Sequence, residues 1–107
     1  MNIINVVKDF SKTPGARYRK DGPYSGEEFR ESILEKYFID KNDNSEILIN
    51  LDGAAGYATS FLEESFGGLA RKYGIDRCLK RLKFITSEDP LLEEEIVDYV
   101  KNCKGNK

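Results

Sequence analysis

The apolar residues of the chain follow two spacings, and these predict strands that alternate with helices. Three short runs rich in branched apolar residues predict strands at Ile3–Val7, Glu46–Leu51 and Arg81–Thr86. Beyond each run, apolar residues recur every three or four positions, as on the buried face of a helix. In the second predicted helix, for example, Leu62 and Phe66 lie one turn apart. The pattern therefore predicts three strand–helix pairs.

Residues that favour helix ends bound each predicted helix. Serine followed three residues later by glutamate is a capping box, in which the two side chains satisfy backbone N–H groups of the first turn. Aspartate followed by proline is another helix-start signal, and glycine is typical of a helix end. The predicted starts are Ser25 with Glu28, Ser60 with Glu63, and Asp89 with Pro90; the predicted ends are near Asp40, at Gly74 and at Gly105.

The order of elements predicts an α/β fold, a small mixed sheet of about four strands with helices packed on it. Crossovers through helices make the later strands parallel. A short strand at Ala16–Arg19 would fold back on the first one, and the sequence leaves open whether the N-terminal segment is one strand or a hairpin. We expect one domain over residues 1–107, with the first strand within 1–9 and a frayed tail at 103–107.

Composition and charge exclude several classes of protein. The 107 residues carry 17 Lys and Arg against 19 Asp and Glu, a formal net charge of -2, which argues against a nucleic-acid binder. The chain has no histidine, which excludes Ser-His-Asp triads, Cys–His dyads and histidine-based metal sites. Cys78 and Cys103 lack CxxC spacing, so we expect reduced thiols, no metal and no cofactor.

Hydropathy along the chain bears on its location. The first residues lack the basic and apolar parts of a signal peptide, and no apolar run approaches the roughly 18 residues of a membrane span. We therefore expect a cytoplasmic protein without a membrane partner.

The segment between the second strand and the second helix is where the sequence favours binding. In open α/β sheets, ligands bind where strands end and helix N-termini begin. Here Asp52, Gly53, Gly56 and Tyr57 belong to a loop of mostly small residues, which lets another backbone or a phosphate approach closely. The loop lacks the GxxxxGK[ST] pattern, and no histidine or lysine lies near Ser60 to accept its proton, so we expect no enzyme.

Ser60 supports two compatible interpretations. As a helix cap it would contribute about 1 kcal/mol to stability. As a phosphorylation site it would carry a phosphate at a helix N-terminus, where N–H groups and the helix dipole favour negative charge. The same phosphate would repel Glu63 and Glu64, which changes the local surface without unfolding the domain.

A different class of function remains as the alternative. The Gly53–Gly56 loop and the following helix start would then hold an anion or a nucleotide, and Arg17 or Arg19 would supply positive charge. The sequence has no GxGxxG fingerprint in this loop to support a dinucleotide.

Two blocks of sequence resemble the bacterial STAS-like domain family of unknown function. They are residues 17–30, RYRKDGPYSGEEFR, and residues 49–69, INLDGAAGYATSFLEESFGGL. That family is in turn distantly similar to the STAS domains of anti-sigma-factor antagonists, which have a hydrophobic strand, a short loop and an Asp-Ser-Ser/Thr-Gly motif that opens a helix. Thr59 and Ser60 fall on the hydroxyl pair of this motif, whereas Ala58 replaces its aspartate and Phe61 its glycine.

The resemblance implies a STAS-like fold and a non-enzymatic regulatory module that binds a protein partner. The implied partner is a kinase with a histidine-kinase-like ATPase fold, which binds the unmodified domain and phosphorylates Ser60, with Thr59 as the neighbouring candidate. Neither nucleic acid nor a membrane is implied as a partner, and a homodimer is left open. The predicted binding surface consists of Asp52, Gly53, Gly56, Tyr57, Phe61, Glu63, Glu64, Arg17 and Arg19.

Overall fold

Three parallel strands form the sheet, in the order β1, β2, β3. The computed structural model describes residues 2–103, in which β1 is Asn2–Asn5, β2 is Ile47–Asn50 and β3 is Leu82–Ile85. In the register, Ile4 lies beside Ile49 and Ile49 beside Phe84. The α/β class is therefore confirmed, whereas the prediction of a mixed sheet of about four strands is wrong.

The first strand is shorter than the apolar pattern predicts. Val6 and Val7 belong to a single helical turn, α1 (Val6–Asp9). The Asn5 side chain caps this turn by accepting a hydrogen bond from the Lys8 N–H at 3.1 Å. Because Asn5 is a favoured helix-cap residue, it ends the strand before the two valines.

Residues 16–19 do not form a strand, so the N-terminal segment is a strand and not a hairpin. The carbonyl of Ala16 accepts a hydrogen bond from the Gly26 N–H, and the carbonyl of Arg17 accepts one from the Glu27 N–H. These are first-turn N–H groups of the next helix, which have no partner within the helix itself. The segment therefore satisfies a helix start, and a 3₁₀ turn (Arg19–Asp21) follows it.

Four longer helices complete the fold within the described residues 2–103. α2 covers residues 26–37 and consists of α-helical Gly26–Phe29, π-helical Arg30–Leu34 and 3₁₀-helical Glu35–Tyr37. α3 covers residues 59–73 and consists of α-helical Thr59–Leu62, π-helical Glu63–Gly67 and α-helical Gly68–Tyr73. α4 is Ile75–Arg81 and α5 is Leu91–Lys101.

The helix ends agree with the sequence signals in two places. Ser25 caps α2 by accepting a hydrogen bond from the Glu28 N–H at 3.0 Å, and the Glu28 carboxylate accepts one from the Tyr24 N–H at 3.1 Å. Gly74 ends α3 with a φ of 107°, a conformation that glycine adopts without strain.

One helix and the boundaries of two elements differ from the predictions. α4 was not predicted, because its stretch of the sequence has only a short apolar pattern. Gly74 ends α3, and the new helix starts directly after it. Arg81 was predicted to begin a strand, but it is the last residue of α4. Its side chain is 1% exposed and donates hydrogen bonds to the carbonyls of Ser45 and Tyr37. α5 starts at Leu91, and neither Pro90 nor Asp89 caps it with a side chain.

The two crossovers step in the same direction across the sheet. Right-handed connections of this kind place their helices on one face. Accordingly Ile4, Ile47 and Ile49 are buried towards the helices, whereas Ile3 on the opposite face is 64% exposed. The helices contribute most of the remaining core: Phe29, Leu34, Phe61, Leu62, Phe66, Leu69, Ile96 and Val100.

Three further predictions concern single residues or the whole chain. Cys78 and Cys103 are both buried and both unbonded. No helix within residues 2–103 is both long enough and apolar enough to cross a lipid bilayer. Cys103 is the last residue described, and the predicted tail beyond it, with Gly105, lies outside the described residues.

Candidate functional site

A cleft of about 250 Å³ opens at the carboxyl ends of β2 and β3. The loop that leaves β2, residues 51–58, forms one wall, and the loop that leaves β3 forms the other together with the first turns of α5. Carboxylates dominate the polar part of the lining, and leucine and alanine side chains form the apolar part. The lining residues are Leu51, Asp52, Ala54, Ala55, Gly56, Tyr57, Glu88, Asp89, Leu92 and Glu95.

Two reciprocal hydrogen bonds hold the walls of the cleft together. The Gly53 N–H donates to the Glu88 carboxylate at 2.7 Å, and the Glu88 N–H donates to the Asp52 carboxylate at 3.1 Å. Gly53 has a φ of 93°, which favours glycine at this point of the loop. The predicted loop residues Asp52 and Gly53 therefore position the cleft walls through contacts with β3's loop.

Tyr57 closes the base of the same loop. Its hydroxyl donates to the Leu51 carbonyl at 2.8 Å. Burial raises the pKa of Tyr57 strongly, and the nearby carboxylates of Asp52 and Glu88 raise it further. The phenol thus remains a hydrogen-bond donor that fixes the loop against the end of β2.

Thr59 and Ser60 lie at the tip of α3, where the loop ends. Thr59 is exposed and Ser60 is partly exposed. The prediction that Ser60 caps the helix is wrong. α3 begins two residues earlier than predicted, at Thr59. Its cap position is Ala58, and no side chain caps the first turn. Ser60 is the second residue of the helix, and its hydroxyl is not used as the cap.

Phe61 lies in the core and not on the surface that the sequence analysis assigned to it. Its side chain is fully buried. The ring packs within 6.2 Å, centroid to centroid, of the rings of Phe10, Phe29 and Tyr57. An aromatic residue at the position of the motif glycine therefore anchors the helix tip to the core.

Glu63 and Glu64 take part in ion pairs with three arginines. Glu63 accepts hydrogen bonds from Arg17 at 2.6 Å and from Arg71 at 2.5 Å. Glu64, which is 8% exposed, contacts Arg30 and, at 3.3 Å, Arg17. Burial alone would raise the pKa of Glu63, but the hydrogen bonds from Arg71 and Arg17 outweigh it and hold the pKa below its ordinary value. The charges of both glutamates are balanced within the protein.

The two predicted arginines are separated in the structure. Arg17 lies beside α3, where its guanidinium is bound to Glu63 and Glu64. Arg19 lies on the exposed side of α2 and pairs with Glu31 at 3.1 Å. Neither residue lines the cleft. The structure thus brings the loop and the helix tip together, but it places neither arginine where it could bind an anion in the cleft.

Sequence reasoning missed the second wall of the cleft. Glu88, Asp89, Leu92 and Glu95 lie in it. The signal was present in the sequence, because these residues follow a strand that is parallel to β2, and the carboxyl ends of parallel strands meet at one edge of a sheet.

These observations define a small α/β domain with a parallel sheet, helices on one face, and a hydroxyl-bearing helix tip at the carboxyl edge of the sheet. The STAS-like domain of unknown function (DUF4325) matches residues 25–92. The chain belongs to this family. No curated protein and no solved structure gives a significant match to the chain.

Proposed function

We propose that the domain is a regulatory module that binds a protein partner through the tip of α3 and the loop before it, as an anti-sigma-factor antagonist does. The partner is a kinase with a histidine-kinase-like ATPase fold, and phosphorylation of Ser60 weakens the complex. The module performs no catalysis of its own.

One observation carries this proposal: Thr59 and Ser60 are accessible at an uncapped helix start that directly follows the central strand. A kinase can reach these hydroxyls without unfolding the domain. The N–H groups of the first helical turn and the helix dipole favour a phosphate there. The modified domain therefore keeps its fold while its surface charge changes.

The structure also changes the physical account of the switch. Arg17, Arg30 and Arg71 already balance Glu63 and Glu64, so these two carboxylates contribute less repulsion than the sequence suggested. The acidic cleft beside the tip has no such balance from Arg17 or Arg19. A phosphate on Ser60 would thus add negative charge to a surface that is already negative. A partner whose surface fits the unmodified cleft would then lose electrostatic complementarity to the domain.

The charge of the cleft does not favour the alternative of an anion or nucleotide site. Four carboxylates line it: Asp52, Glu88, Asp89 and Glu95. The two arginines expected to supply positive charge are bound to glutamates elsewhere. A phosphate in the cleft would meet like charge on both walls.

The test is a binding titration of the purified chain against purified kinases of the histidine-kinase-like ATPase class. The forms compared are wild type, Ser60→Ala, Ser60→Asp and a protein with phosphoserine incorporated at position 60. We expect the alanine variant to bind as wild type does and the phosphoserine form to bind about tenfold or more weakly, a difference of about 1.4 kcal/mol. Mass spectrometry after incubation with ATP should place the phosphate on Ser60.

Ser32→Asp is the matched control, because Ser32 is an exposed serine on α2. It adds the same charge away from the tip and should leave binding unchanged. Equal affinity of the Ser60 forms for a kinase that does bind would contradict the switch, and labelling of Ser32 instead of Ser60 would contradict the site.

A further inference from the structure

The two edges of the sheet are protected to different degrees. At the β1 edge, the Asn5 N–H donates to the Asp9 carboxylate at 2.8 Å, and the chain turns into α1 immediately afterwards. A charged side chain and a bend are ordinary devices by which proteins prevent an edge strand from pairing with another chain. The β1 edge is therefore protected at its carboxyl end.

The β3 edge presents free backbone groups. The Leu51 N–H donates to the Ile85 carbonyl at 3.0 Å, which shows that Ile85 faces β2. Because successive residues of a strand alternate, Lys83 also faces β2, whereas the backbone groups of Leu82, Phe84 and Thr86 point away from the sheet. Lys83, the charged residue of β3, pairs at 3.8 Å with Glu46, which precedes β2, and not with a group of this outer row.

Two groups of this outer row are already used within the chain. The Leu82 N–H donates to the Cys78 carbonyl at the end of α4. The Thr86 carbonyl accepts a hydrogen bond from the Asp89 N–H at 3.1 Å. The groups that remain without a backbone partner in the described part of the chain are the Leu82 carbonyl, both groups of Phe84 and the Thr86 N–H.

We propose that β3 pairs with β3 of a second copy of this chain, antiparallel and centred on Phe84, to form a continuous six-stranded sheet. In this register each Phe84 N–H donates to the Phe84 carbonyl of the other copy. Each Thr86 N–H donates to the Leu82 carbonyl opposite it. The occupied Leu82 N–H faces the occupied Thr86 carbonyl, so every free donor meets a free acceptor.

This match of free and occupied groups favours a second copy over an unrelated strand. A two-fold axis through Phe84 pairs the edge with itself, and such isologous contacts are the commonest way in which soluble proteins form dimers. The same axis places Lys83 opposite Ile85 of the other copy and not opposite a second lysine, so no like charges meet directly across the pair.

An apolar groove borders the same edge and adds to the contact. It has a volume of about 160 Å³ and lies between α4, α5 and β3. Most of its lining is apolar: Cys78, Leu79, Leu82, Phe84, Ile96, Val97 and Val100. The approach of a second sheet edge would remove part of this surface from water, which stabilises the pair beyond its four hydrogen bonds.

Sedimentation velocity of the purified chain, from low to high micromolar concentration, tests the proposal. We expect a reversible dimer of twice the 12.2 kDa mass. In a mixture of isotopically labelled and unlabelled protein, intermolecular NMR contacts should join the Hα of Lys83 to the Hα of Ile85. A chain that sediments as a monomer throughout, or a dimer without this contact, would overturn the proposal.

A pair of proline variants separates the proposed edge from the rest of the surface. Thr86→Pro removes two of the four intermolecular hydrogen bonds and should weaken dimerisation about 10- to 30-fold. Ile3→Pro is the matched control, because the Ile3 N–H points outward from the opposite edge and proline is tolerated there. Circular dichroism should show that both variants fold. Equal dimerisation of the two variants would contradict the β3 interface, whatever the outcome of the kinase experiments.

Discussion

At the scale of single residues, Gly26 decides how closely the two long helices approach each other. A Cβ atom on Gly26 would lie 2.5 Å from the carbonyl oxygen of Phe61 in α3. The Phe61 oxygen is a backbone atom, so no side-chain rotation can relieve the contact. The approach also lets the buried Ser65 hydroxyl donate to the Gly26 carbonyl at 3.2 Å. The position of the α3 tip thus depends on the absence of a side chain in α2.

Replacement of Gly26 by alanine should destabilise the protein, although alanine is the better helix former by about 1 kcal/mol. We expect the free energy of unfolding to fall by about 1 to 3 kcal/mol, because the added methyl group forces α2 and α3 apart. Urea denaturation monitored by circular dichroism measures this change.

Ser32→Ala serves as the control on the same helix, since Ser32 is exposed, and it should change stability by no more than about 0.5 kcal/mol. A Gly26→Ala variant as stable as wild type would show that the helices can separate without cost.

At the scale of elements, an ion-pair network joins the π-helical segments of α2 and α3. Arg30 contacts Glu35 at 2.9 Å within α2 and reaches Glu64 in α3. Glu35 is 8% exposed and also accepts hydrogen bonds from Lys72 at 2.7 Å and Tyr73 at 2.9 Å. Because each buried charge has a partner on the other helix, the network fixes the relative position of the helices as well as their contact.

The network makes stability depend on pH. Burial would raise the pKa of Glu35, but hydrogen bonds from Lys72, Arg30 and Tyr73 outweigh it and hold the pKa below its ordinary value. A carboxylate with a lowered pKa stabilises the fold above its ordinary pKa, and this stabilisation is lost as the pH falls through the folded-state pKa. We therefore expect the free energy of unfolding to fall from about pH 5 towards pH 2.

Glu35→Gln should make this pH dependence shallower, because it removes one of the groups whose protonation drives it. Urea denaturation at a series of pH values measures the slope. Glu46→Gln is the control, since the Glu46 side chain is 50% exposed and its ion pair with Lys83 contributes little. A Glu35→Gln profile parallel to that of wild type would show that Glu35 does not contribute to the acid transition.

At the scale of the whole molecule, hydrogen bonds join the three loops at the carboxyl edge of the sheet. The Ala55 N–H donates to the Lys12 carbonyl at 2.9 Å, which links the loop after β1 to the loop after β2. Asp52 and Glu88 link the loop after β2 to the loop after β3. The α3 tip and the cleft therefore belong to one connected surface, and a partner would meet them together.

Loss of the Glu88 carboxylate should loosen this surface without unfolding the protein. In Glu88→Ala the Gly53 N–H loses its acceptor, and we expect its hydrogen exchange to accelerate about 5- to 30-fold. Amide exchange followed by NMR measures the change, while the melting temperature should remain close to that of wild type. Glu93→Ala, an exposed residue of α5, is the control and should leave the exchange of Gly53 unchanged.

Features of the fold that depend on neighbouring residues were easier to predict from the sequence than features that depend on the rest of the structure. Ser25 with Glu28 and the glycine at position 74 were correctly recognised, because capping and positive φ depend on neighbours in the sequence. The end of β1 was missed, since an apolar run does not show where a side chain such as Asn5 will cap a turn. Arg81 was missed because its carbonyl partners are about 36 and 44 residues away in the sequence.

The sequence by itself determined the alternation of strands and helices, the junction of a buried strand with a hydroxyl-bearing helix, and the family. These depend on spacing and local chemistry. Only the tertiary structure decided that Phe61 is buried and that Glu88 lies in the second wall of the cleft. It also decided that Arg17, Arg30 and Arg71 together balance the charges of Glu63 and Glu64. Most of these contacts join residues of different elements, and their distances are set by how the helices pack on the sheet.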